Sequence, residues 1–137
     1  MLNYLFNNGK KVAGTRLAAQ LLFEAASWVR TLDFFKQENS NLKTRLSEVV
    51  DLSTDKEFVT TAEHFQNQFL LKDEFIDEIT RDVKHHQNHL QDLLKKSMDP
   101  EEKTIKKQQK LRNELIFLEK NFGSVKHEFN KYLSSSL

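Results

Sequence analysis

The chain has 137 residues, 21 Lys and Arg against 20 Asp and Glu, no Cys, one Pro and three Gly, and 38% of it is hydrophobic. This length suits a single domain, the missing thiols exclude disulfides, Cys-ligated zinc, iron–sulfur clusters and cysteine chemistry, and a net charge of +1 lacks the excess that marks binders of nucleic acid or membrane surfaces. Scarce Pro and Gly beside abundant Leu, Lys, Glu and Gln point to long helices, and the absence of Cys suits a reducing compartment, read as the cytoplasm.

In chain order, residues 1–11 form an N-terminal segment. The most apolar stretch, 12–35, is interrupted by Arg16, Glu24, Arg30 and Asp33, more charge than a bilayer span tolerates, and Arg16 also sits where the apolar run of a signal peptide would begin. No membrane-spanning helix is expected there. A first helix is predicted over 12–51, because Ala18, Leu21, Ala25, Trp28, Leu32, Phe35, Asn39, Leu42, Leu46 and Val49 recur in alternating steps of three and four. Asn39 is the one polar residue in that seam.

A capping box, with Thr54 accepting from the Glu57 N–H and Glu57 reaching back, predicts a second helix over 55–97. Its seam runs Phe58, Ala62, Phe65, Phe69, Lys72, Ile76, Ile79, Val83, His86, Leu90 and Leu93, with Lys72 and His86 as polar members. Asp99 as N-cap, Pro100 at the first helical position and Glu101 and Glu102 at the positive end of the macrodipole predict a third helix over 100–133. Leu111, Leu115, Leu118, Phe122, Val125, Phe129 and Tyr132 form its seam, and residues 134–137 are expected to fray. Short connections force neighbouring helices antiparallel, so the expected fold is all-α: an elongated up-down-up three-helix bundle with coiled-coil-like heptad packing, one domain over 12–133.

Buried polar residues on a seam need partners. Folding the second helix back about Ser53 places Asn39 near residues 66–68 and Lys72 near Asp33, and an Asn at such a position sets helix register. Between Leu17 and Phe35 the apolar residues outnumber one stripe, so this half of the first helix is expected to contact a neighbour on a second side. Leu22, Trp28, Val29 and Phe34 are the candidate anchors, for a homodimer or a partner protein. The competing reading covers this surface with Leu2, Tyr4, Leu5 and Phe6 of the same chain.

Three further clusters bear on chemistry. His85 and His89, four apart, with Asp82 one turn earlier and Glu24 and Glu114 at a similar level, carry a helical-bundle metal site as the alternative reading. Against it stand the single Asp82-x-x-His85 spacing, where two-helix metal sites repeat the motif, and the seam register, which turns His86 inward. Lys103, Lys106, Lys107, Lys110 and Arg112 make a basic stripe, third in order as a nucleic-acid contact because no aromatic interleaves with it; its expected partners are Asp92, Glu101 and Glu102. The acidic cluster Asp73, Glu74, Asp77 and Glu78 is expected opposite Lys120 and Lys126. Gly9, Gly14 and Gly123 are isolated, which excludes a phosphate loop, and no nucleophile elbow occurs. The expected function is therefore a non-enzymatic interaction or scaffold protein without cofactor, metal or small-molecule substrate.

Overall fold

The computed structural model describes the backbone of residues 9–136 and the side chains of residues 16–135. It contains three helices, α1 (Gly9–Asp51), α2 (Lys56–Lys95) and α3 (Glu102–Ser136), with no strand among the described residues. The up-down-up three-helix bundle read from the heptad pattern is the observed fold. Residues 1–8, and with them Leu2, Tyr4, Leu5 and Phe6, lie outside the described residues. α1 starts at Gly9, inside the segment assigned to 1–11, and α3 continues to Ser136, past the expected onset of fraying at 134.

The helix ends correct the expected caps. α2 is capped by Asp55 and not by Thr54: the Asp55 carbonyl accepts from Val59 N–H at 3.0 Å and its carboxylate oxygen from Glu57 N–H at 3.0 Å. A charged carboxylate facing the positive end of the helix is a better acceptor than a hydroxyl, so the cap moves one residue along the chain. α2 ends two residues earlier than predicted, because Ser97 adopts a left-handed conformation (φ 52°). Met98 N–H then bonds Leu93 O at 2.9 Å and Ser97 N–H bonds Leu94 O at 3.2 Å, the paired bonds of a Schellman stop. At α3 the Glu101 carbonyl accepts the first helical bond, from Ile105, so the helix begins at Glu102, two residues past Pro100.

The chain falls into two compact units. In unit 1 (residues 1–31 and 79–115) the buried seam residues are Ala18, Leu21, Ala25 and Trp28 of α1, Ile79, Val83, His86, Leu90 and Leu93 of α2, and Thr104, Gln108, Leu111 and Leu115 of α3. Leu17 and Leu22 pack against the cluster of Leu21, Leu90 and Leu93. In unit 2 (residues 32–78 and 116–137) the core sets phenylalanines among leucines, with Ile76 and Ala62. Phe129 meets Phe69 edge-to-face, with ring centroids 5.2 Å apart at 89°, Phe58 stacks on Tyr132 at 4.8 Å, and Phe35 lies 5.0 Å from Phe122. The first two are the edge-to-face and stacked arrangements that ring quadrupoles favour, and the third is tilted at 45°.

Four residues of the predicted seams are only half-buried: Val49, Lys72, Val125 and Tyr132. Leu133 is buried where the spacing places Tyr132, because a step of four from Phe129 reaches the core and Tyr132 remains half-buried. The Tyr132 hydroxyl donates to Phe58 O at 2.7 Å, and an apolar site without such an acceptor would exclude it. Gly123 is exposed, and a Cβ built on it meets nothing within 4 Å.

Candidate functional site

Unit 1 carries a buried polar layer that joins all three helices. Gln108 of α3, 1% exposed, holds it together. Its amide nitrogen donates to Leu21 O at 3.0 Å and to Glu24 Oε1 at 2.8 Å, which leaves its Oε1 as acceptor for His86 Nε2 at 2.5 Å. The bonding therefore puts a hydrogen on His86 Nε2. Burial pushes the His86 imidazole below its ordinary value of 6.5; the Gln108 bond opposes this, and the neighbouring His89, Lys107 and His85 add to it. Glu24 is closed by a two-pronged pair with Arg112, Nε to Oε2 at 2.8 Å and Nη2 to Oε1 at 2.7 Å. Those bonds hold the Glu24 carboxyl below its ordinary value of 4.5, against burial and with help from Gln108. One turn toward the start of α3, His89 Nε2 lies 3.0 Å from Thr104 Oγ1.

Beside this layer, between α2 and α3 of unit 1, runs an open groove of about 520 Å³. His85, His89, Lys103, Lys106, Lys107 and Lys110 line it, with His86 and Thr104 at its base and Glu101 as its acidic member. Lys106 pairs with Glu102 at 3.2 Å and Lys110 with Glu114 at 3.9 Å, each within one helical turn and in solvent. Lys103 and Lys107 have no ion-pair partner among the described residues.

The polar residues of the seams meet partners other than those expected. In unit 2, Asn39 is buried, and its Nδ2 donates to Phe69 O and to Asp73 Oδ1, both at 2.8 Å, while its Oδ1 has no partner among the described residues. It sits level with Phe69 and not with residues 66–68. Asp73 reaches it because helical side chains lean toward the start of their own helix. Lys72 is half-buried and makes no pair with Asp33; burial pushes its ammonium below the ordinary value of 10.5. The acidic cluster faces α1 instead of Lys120 and Lys126: Lys43 pairs with Asp73, and Lys36 with Asp77 at 3.0 Å and Asp73 at 3.5 Å. Lys126 pairs with Glu38 at 2.6 Å. Burial works to raise the Asp73 carboxyl, but bonds from Lys43 and Asn39 and the charges of Lys43 and Lys36 outweigh it and hold it below 3.8.

The metal reading is not supported by the placement of its residues. No three His, Asp or Glu side chains among the described residues are placed to hold one metal ion, His85 is exposed, His89 is engaged with Thr104, and Glu24 faces Gln108 and Arg112 instead of Asp82. Of the expected interface anchors, Phe34 is 60% exposed and Leu22 and Val29 are half-buried. Trp28, at 7%, belongs to the core, since its seam position outranks its size as a surface anchor. Phe23, 76% exposed with exposed Ala19 beside it, is the aromatic that α1 of unit 1 presents to solvent.

Sequence reasoning missed Thr104 and Gln108. The signal was available: continuing the third seam back from Leu111 by three and then four lands on Gln108 and Thr104. Phe23 was legible, with Phe34, as one of two large aromatics of the apolar run that fall outside the first seam. No helix among the described residues is long and apolar enough to cross a membrane. Compared with protein-family models, curated proteins and solved structures, the chain shows no match.

Proposed function

We propose that the chain is a non-enzymatic interaction protein that pairs with a second copy of itself through the first part of α1, in a reducing compartment such as the cytoplasm. The observation that carries this is Phe23, which remains 76% exposed after the core of unit 1 is filled. Ala19 and Ala26 lie four before and three after it on the same face, with half-buried Leu22 alongside. Small residues on either side of one large aromatic allow two helices to approach closely while the ring is desolvated between them. A two-fold pair brings the same strip against itself, and a net charge of +1 opposes that approach very little.

Sedimentation equilibrium over a dilution series tests the reading. The expected result is a dimer for the wild type and a monomer of unchanged helicity for Phe23→Ser. A wild type that is monomeric throughout, or a Phe23→Ser variant that still dimerises, refutes it.

A further inference from the structure

We infer that the groove between α2 and α3 of unit 1 binds a compact polyphosphate, a ligand bearing two or three phosphoryl groups close together. The groove is a volume of about 520 Å³ whose walls carry four lysines and three histidines against one acid, Glu101. Two of those lysines, Lys103 and Lys107, have no acidic partner among the described residues, unlike Lys36, Lys43, Lys126 and Arg112, which the fold neutralises. Lys107 lines the groove together with His86 at its base.

The ligand class follows from what the groove offers and what it lacks. From Lys103 to Lys110 the cations extend along about 10 Å of helix at 1.5 Å per residue, the span of a short phosphate chain. Lysine ammonium groups recognise phosphate as point charges, and an imidazole N–H of the exposed His85 on the opposite wall donates to its oxygens. No Phe, Tyr or Trp is among the residues that line the groove, so it holds no broad ring surface on which a nucleobase stacks. The recognition is thus of the phosphoryl groups themselves, and the site is separate from the Phe23 strip.

The test is calorimetric titration of the full chain with sodium triphosphate at near-physiological salt. The expected result is saturable one-to-one binding that weakens at least tenfold in Lys103→Glu/Lys107→Glu and at least threefold in His85→Ala, and is unchanged in Lys120→Glu/Lys131→Glu, all of wild-type helicity. Equal weakening in the two double variants means diffuse attraction only and overturns the site, as does the absence of saturation. A single-stranded oligonucleotide that binds more tightly than triphosphate, with affinity falling steeply with salt, overturns the ligand class in favour of nucleic acid.

Discussion

Replacing Gln108 with Leu tests whether the polar layer of unit 1 is a coupled unit. The substitution removes the bonds to His86 Nε2, Leu21 O and Glu24 Oε1 while keeping an apolar side chain of similar size in the core. Glu24 keeps its two-pronged pair with Arg112, and Leu21 O keeps its place within α1, so the principal loss is the buried His86 N–H left without an acceptor. An orphaned buried donor costs about 2 kcal/mol, and burying Leu in place of an amide returns about 1, so the variant is expected to lose ~1 kcal/mol. His86→Leu alone leaves the Gln108 carbonyl oxygen unpaired and is expected to cost a similar amount. The double variant His86→Leu/Gln108→Leu removes donor and acceptor together, and matched apolar replacements of a buried pair come out near neutral, so it is expected within about 1 kcal/mol of wild type. Urea unfolding followed by far-ultraviolet circular dichroism measures all three, with the slope of the transition checked for constancy. Strictly additive losses, or a Gln108→Leu variant as stable as wild type, would show that the layer contributes no coupling and that the reasoning fails.

The same histidine sets a pH dependence. Because burial lowers its value in the folded state, the unfolded chain binds the extra proton first, so its stabilising share is complete above about 6.5 and is lost as pH falls below it, by at most about 1.4 kcal/mol per pH unit. His86→Leu should flatten that part of a stability-against-pH curve, and an unchanged slope would contradict the assignment. At the α2 start, Asp55→Ala is expected to cost about 1 kcal/mol and Thr54→Ala almost nothing, with chemical unfolding as the measure; the reverse order would restore the Thr54 cap. Ser97→Gly and Gly123→Ala should each stabilise by roughly 0.5–1 kcal/mol, the first by relieving a left-handed serine and the second by adding a Cβ in open space on a helix, and a loss at either site in a thermal melt would count against those placements. Trp28→Ala should cost about 3–5 kcal/mol as a core truncation, whereas Phe23→Ser, measured on the monomer, should change stability by less than about 0.5 kcal/mol.

The three helices and their buried faces were legible from residue order alone, because helical periodicity is a local property and each seam repeats it many times. Ala18 through Leu46 on α1 and Phe58 through Leu93 on α2 are buried as the spacing required, except that Lys72 is only half-buried. Even the missed Gln108 and Thr104 lay on the extrapolated third seam. Caps were less legible, since Thr54 and Asp55 are adjacent acceptors and only the course of the chain between α1 and α2 selects one of them. The partners of the polar residues were decided by tertiary structure. His86, Gln108, Glu24 and Arg112 come from three helices and are up to 88 residues apart in the chain, so their meeting depends on the axial level and rotation of each helix in unit 1. Neither quantity is contained in a repeat of three and four, because sliding one helix by a turn keeps the apolar seam buried while it gives every polar side chain a different neighbour.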